Sequence, residues 1–317
     1  MPLPPRVASL GLLALTACSA PPRPAEGFIQ VPGGKIYYAR MGNGPGTPLI
    51  VIHGGPGSSS YGLKPWAALG DDRPVIRYDQ LGSGKSDRPT DTTLFTVNRA
   101  VAELNALRDS LGLSEVHLYG RSWGAMLIEA YMATDPYGVK SVTLSSPLVT
   151  TARWEHDADS LKRLLPDSLQ LALARFDSAA KVAGAGGKPP AEYQAALAEY
   201  YHRHVRRQPR RSTEPDSGGF GALVYNYMWG PNEFTATGTL KHFDASESLR
   251  KITVPTLFIT GEFDEATPSS TSRFAATVPG AEFKVVPKSG HGTENDNPEF
   301  LLGAVRDFLR RADAKKP

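Results

Sequence analysis

Cysteine is almost absent from this sequence. Its 317 residues contain one, Cys18, so no disulfide can close within the chain and no thiolate metal site can be assembled. Excess charge is missing too. Against 35 lysines and arginines stand 32 aspartates and glutamates, and a net charge of +3 is too small to argue for nucleic acid. No apolar run is long enough to span a bilayer. Histidines and carboxylates fall in pairs such as His202/His204 and Asp71/Asp72, too sparse for a metal site, so neither metal nor cofactor is expected. One local basic run, residues 203–211 with five arginines, reads as a solvated helix end followed by a loop.

What is present begins at the N-terminus. Arg6 precedes an apolar stretch at 7–17, followed by Cys18, Ser19, Ala20 and a proline-rich segment. The apolar part is too short for a spanning helix and suits a signal peptide. Leu15, Thr16, Ala17 and Cys18 resemble a bacterial lipoprotein lipobox. That resemblance implies a signal peptide at 1–17, lipidation of Cys18, a tether at 18–26, and an enzyme anchored to the cell envelope on the periplasmic or outer surface. Ordinary cleavage near Ala20, giving a secreted protein, is the alternative.

Further along, short apolar strands alternate with helical patterns. Strands are expected at 27–31, 35–41, 48–53, 74–79, 115–119 and 141–145, and helices at 96–111 and 125–134. The alternation stops at Pro147 and resumes near 255 with strands at 255–260 and 281–286 and helices at 269–277 and 298–311. This pattern predicts an α/β fold, a mostly parallel sheet with helices on both faces. The core would comprise 27–146 and 249–317, with a helical cap inserted at 147–248.

Gly120, Arg121, Ser122, Trp123 and Gly124 lie between an expected strand and an expected helix, the context of a G-x-S-x-G nucleophile elbow. A serine hydroxyl needs a base, and the base needs an orienting acid. Asp264 and His291 follow in the order Ser, acid, His, each on a loop after a strand. Glu262 and Glu265 are rivals for the acid, and Asp264 has the matching position. His53 to Gly57 (His-Gly-Gly-Pro-Gly) supplies an oxyanion loop, with donors assigned to the Gly55 and Trp123 N–H groups. His53 itself is expected to be structural. Gly84-Lys85-Ser86 ends like a phosphate loop, but that motif needs a glycine at the position of Asp79, so the phosphate reading fails.

These motifs, the Asp79–Ser86 segment and the run from Gly261 to Pro268 together resemble the proline iminopeptidases of the α/β-hydrolase superfamily. Met228 to Phe234 (Met-Trp-Gly-Pro-Asn-Glu-Phe) resembles the signature of the branch that includes the tricorn-interacting aminopeptidases. The resemblance implies a serine aminopeptidase acting on short peptides, in which Glu233 and Glu265 hold the substrate's free amino terminus. Two carboxylates suit a protonated N-terminal proline, which offers two N–H donors and one positive charge. A carboxylesterase or lactonase with the same triad is the alternative. Tyr225, Tyr227 and Trp229 form either a pocket for the pyrrolidine ring or the core of the cap. Glu294 is either a third participant or a helix-capping residue. Arg121 departs from the family, in which many members carry glycine before the serine.

Overall fold

Eight strands form one sheet in the order β1-β2-β4-β3-β5-β6-β7-β8. They are β1 (Glu26–Val31), β2 (Gly34–Met41), β3 (Leu49–Ile52), β4 (Val75–Tyr78), β5 (Val116–Arg121), β6 (Val139–Ser145), β7 (Thr256–Gly261) and β8 (Glu282–Val286). The β1/β2 and β2/β4 pairs are antiparallel and all others parallel, so the sheet is mostly parallel, as the alternating pattern predicts. This computed structural model describes residues 25–183, 189–209 and 219–314. The expected signal peptide, Cys18 and most of the tether lie outside the described residues.

Parallel strands are buried on both faces and need apolar residues in both directions. In β3, Ile50 and Ile52 pack with α1 (Val97–Ser110) and α2 (Trp123–Met132). Leu49 and Val51 point the other way, into a second cluster with Trp66, Val305 and Phe308. That opposite face is covered by a 3-10 helix, Ser60–Leu69, which the sequence pattern does not announce, and by the C-terminal helix.

Between β6 and β7 the described residues hold α3 (Thr151–Lys162), α4 (Asp167–Ala183), α5 (Ala191–Tyr200), a π-helical turn at Tyr201–Val205, α6 (Ala222–Met228) and α7 (Ser246–Leu249), with only isolated bridges besides. A separate cluster of Ala158, Leu165, Leu173, Tyr193, Tyr200 and Phe234 forms the core of this layer. The α/β pattern then closes with α8 (Pro268–Ala275), α9 (Thr293–Asp296) and α10 (Pro298–Ala314). The carboxyl ends of β3, β5, β7 and β8 therefore feed the loops carrying Gly55, Ser122, Asp264 and His291, the place where open α/β sheets form their sites.

Candidate active site

Ser122 sits between β5 and α2 with φ 56° and ψ −121°. A non-glycine residue held there costs on the order of 1–3 kcal/mol, offset by the close packing around it. A Cβ on Gly120 would lie 2.2 Å from the Gly124 carbonyl oxygen, so only glycine lets the strand and helix cross this tightly. Ser122 occupies the helix N-cap yet makes no side-chain capping bond. Serine at that position ordinarily spends its hydroxyl on the first turn. Here the hydroxyl remains available for chemistry.

His291 Nδ1 meets Asp264 Oδ1 at 2.8 Å. Asp264 also accepts hydrogen bonds from Ser146 Oγ (2.5 Å), Thr260 Oγ1 (2.9 Å), Gly261 N (3.1 Å) and Ala266 N (2.8 Å). Burial works to raise its pKa, but His291 and these donors outweigh burial and hold the carboxyl below its ordinary value. An ionised, fully bonded carboxylate fixes the Nδ1–H tautomer and leaves Nε2 to take a proton. Glu262 points elsewhere, accepting the Lys288 N–H at 2.8 Å.

Ser122, His291, Gly55, Arg121, Tyr225 and Glu233 line one cavity of about 590 Å³. Gly55 has φ +118°, and a Cβ there would fall 2.7 Å from the Ser58 nitrogen, so the loop needs glycine. Trp123 opens α2, where backbone N–H groups have no acceptor within the helix. Its indole Nε1 donates to Gln80 Oε1 at 2.8 Å, and Gln80 N reaches His53 Nε2 at 3.3 Å. His53 thus braces the oxyanion loop from behind. The segment resembling a phosphate loop turns instead about Asp79, whose carboxylate accepts the Ser60 and Lys85 N–H groups at 2.6 and 2.8 Å.

The two glutamates differ in placement. Glu233 faces the cavity and is half-buried. Burial raises its pKa, while His291, the Tyr225 hydroxyl and Arg121 pull against that shift. Glu265 lies behind, 1% exposed, with neither carboxyl oxygen hydrogen-bonded. Burial, then Glu233, then Asp264 push its pKa well above the carboxylate range. The neighbouring Tyr200 hydroxyl is likewise buried and bears on that carboxyl, pulling its pKa down, without reaching good hydrogen-bond geometry. A buried carboxyl short of well-made hydrogen bonds, beside a second carboxyl, suits a cation carrying its own donors.

Of the three cap aromatics, Tyr225 lines the cavity, Trp229 is buried with its indole N–H on the Asn232 carbonyl at 2.9 Å, and Tyr227 packs against Phe95 at 6.4 Å. Only Tyr225 faces the site; the other two are packing. Glu294 caps neither end of α9, and it lines the same cavity as Glu233. It binds Arg121 Nη1 at 3.2 Å and the Tyr119 hydroxyl at 2.7 Å.

Two contributors carry no signal in the sequence. Trp154 on α3 donates to the Glu233 carbonyl at 2.7 Å and sets its ring edge-on to His291 at 5.5 Å. A π-helical turn, Tyr201–Val205, receives the His291 and Gly292 N–H groups on its His204 and Val205 carbonyls at 2.8 and 2.6 Å. Tyr201 also accepts the Glu233 N–H at 3.4 Å. The start of the basic run is a helix end followed by a loop, as expected, and its backbone also braces the cap against the histidine loop. Single-turn π segments often mark functional sites, but their extra residue leaves no periodic trace.

The chain matches the α/β hydrolase fold family over residues 47–293. It is 45% identical over 289 residues to a proline iminopeptidase of Heyndrickxia coagulans, covering 90% of this chain and 98% of that one. A second, from Levilactobacillus brevis, is 35% identical over 288 residues, covering 88% and 94%. The crystal structure of a proline iminopeptidase from Mycobacterium smegmatis superposes with a TM-score of 0.81 at 31% identity, over 91% of this chain and 99% of that one. Similarity that runs the length of the relatives, over a site of this construction, makes the chain a serine hydrolase belonging to the proline iminopeptidase family.

Proposed function

We propose that this protein is a serine aminopeptidase that releases N-terminal residues, preferentially proline, from short peptides. The observation that carries the reading is Glu265, a buried carboxyl with no hydrogen-bond partner, beside Glu233 and one residue from the aspartate that binds His291. A substrate ammonium placed there supplies the missing donors and a positive charge that lets the carboxyl ionise. On this reading the anchored amine also sets the register, bringing the first peptide carbonyl to the serine.

In the reaction, Ser122 Oγ attacks that carbonyl carbon while His291 Nε2 removes the hydroxyl proton. The resulting oxyanion is received by the Gly55 and Trp123 N–H groups. Collapse breaks the C–N bond, and His291 returns the proton to the leaving amine. Water, deprotonated by His291, then cleaves the acyl-enzyme and frees the N-terminal residue and Ser122. No bound cofactor enters any step.

The test is turnover of prolyl-p-nitroanilide beside its N-acetylated form. Strong preference for the free amine is expected, and equal turnover removes the amine-anchoring idea. Ser122→Ala should abolish activity in a folded protein. A carboxylesterase or lactonase with the same triad would tolerate Glu233→Gln, whereas the peptidase loses activity.

Localisation is part of the same proposal. The 7–17 apolar stretch and the lone cysteine behind Leu15, Thr16 and Ala17 support lipidation at Cys18 and an envelope-anchored enzyme. Radioactive fatty acid should label the protein in cells, and Cys18→Ala should remove the label.

A further inference from the structure

Arg121 and Glu294 have no part in the steps above, yet they meet beside the nucleophile. Arg121 ends β5, one residue before Ser122, and lines the same cavity. Among the described residues its only hydrogen bond runs from Nη1 to Glu294 Oε2 at 3.2 Å, and its Nε is buried with no acceptor. A Cβ on Gly54 would lie 3.5 Å from that Nε, so the guanidinium also packs against the oxyanion loop. Glu294, 4% exposed, stands three residues after His291. Its other oxygen accepts the Tyr119 hydroxyl at 2.7 Å, and Tyr119 packs on Trp66 of the 3-10 helix at 4.1 Å. The far side of the histidine loop is held by the cap, through the His204 and Val205 carbonyls.

One buried carboxylate on the histidine loop therefore grips both side chains that flank Gly120, and the arginine it grips rests on the oxyanion loop. Three segments that must keep sub-ångström register meet at this pair. A guanidinium with one ionic partner depends on that partner for its compensation, so losing Glu294 alone would leave a charge beside Ser122.

We propose that the Arg121–Glu294 ion pair is a positioning device of the active site, fixing the nucleophile elbow and the oxyanion loop against the histidine loop. The proposal rests on Ser122 and His291 being the reacting pair. It gives Arg121 a purpose that its departure from glycine otherwise lacks. The pair is expected to act on rate more than on affinity, because its hydrogen bonds hold the supports of the reacting groups, while Arg121 bears on Glu233 only through its charge.

The experiment compares Glu294→Met, Arg121→Met and the double variant on prolyl-p-nitroanilide, with thermal unfolding in parallel. Glu294→Met should lower both Tm and kcat. The double variant should recover Tm, because no charge is left unpaired, while kcat stays at least tenfold down with KM changed less than about threefold. Arg121→Lys, which keeps the charge, should recover part of kcat. A double variant that recovers kcat together with Tm, or that changes KM alone, overturns the proposal by reducing the pair to a structural or binding role. If the double Met variant does not fold, Arg121→Gln with Glu294→Gln is read the same way. Wild-type protein that neither turns over the substrate nor labels at Ser122 with a fluorophosphonate would instead overturn the aminopeptidase reading.

Discussion

Asp264 and Glu265 are adjacent in sequence and opposite in environment. Asp264 accepts five hydrogen bonds, including the one from His291, while the Glu265 carboxyl, equally buried, accepts none. The pKa of the first is held below its ordinary value and that of the second is pushed well above it, in each case against or along the effect of burial. One loop thus carries an ionised orienter for the histidine and, next to it, a carboxyl whose burial favours the protonated form.

Binding should therefore release a proton. A protonated Glu265 that receives an ammonium ion must ionise to pair with it. Calorimetric binding of prolinamide near neutral pH, in two buffers of different ionisation heat, should give enthalpies that differ in proportion to up to one proton released per site. Glu265→Gln should remove the difference, and buffer-independent enthalpies in the wild type would refute the idea.

Ser146→Ala should reduce kcat/KM by about 10- to 100-fold. A hydrogen bond to a charged group contributes about 1.5–3 kcal/mol, and the Ser146 hydroxyl gives Asp264 one at 2.5 Å. Losing a donor to the ionised form moves the Asp264 pKa upward. The acid limb of the pH–rate profile should accordingly move to higher pH. An unchanged profile would separate Ser146 from the triad.

Gln80→Leu should lower kcat about tenfold with KM little changed, because one oxyanion donor is displaced rather than lost. Gln80 ties the Trp123 indole to His53 and hence the elbow to the oxyanion loop. The KM-against-kcat split distinguishes this from general loosening of the fold, which denaturation midpoints would reveal.

His117 predicts a stability loss at mildly acid pH. It is fully buried between Ser141 Oγ at 2.7 Å and Asp313 Oδ1 at 3.0 Å, tying β5 and β6 to α10. Burial, opposed by Asp313, lowers its pKa to about 4. The unfolded chain takes up this proton near pH 6.5 while the folded chain resists it, so the contribution is complete above pH 6.5 and falls away as pH drops toward 4. The loss across that window is on the order of 3 kcal/mol. Urea unfolding at pH 7 and pH 4.5 should show it, and His117→Gln should flatten the dependence. An equal slope in variant and wild type would remove His117 as the cause.

Much of the core could be read from local patterns. Strand β3 is a short apolar run because both its faces are covered, and helix α1 shows its 3.6-residue stripe because only one face is. The 3-10 helix Ser60–Leu69 has Pro65 inside it and follows a glycine-rich loop, so its sequence reads as coil. The π turn Tyr201–Val205 is invisible for a similar reason: its two strongest contacts are made by backbone carbonyls, which any residue could supply.

By itself the sequence determined the order of the parts: a serine between strand and helix, then an aspartate, then a histidine, each at a strand end, with glycines where the backbone must pass closely. Those are local requirements of turn geometry and strand burial, and local requirements leave traces in neighbouring residues. Only the tertiary structure decided which glutamate faces the cavity and which is buried behind it, that Trp154 and the π turn brace the site, and that Arg121 answers to Glu294, 173 residues away. Desolvation and charge pairing depend on what the fold brings within a few ångströms, and residues that far apart in the chain share no local pattern to record it.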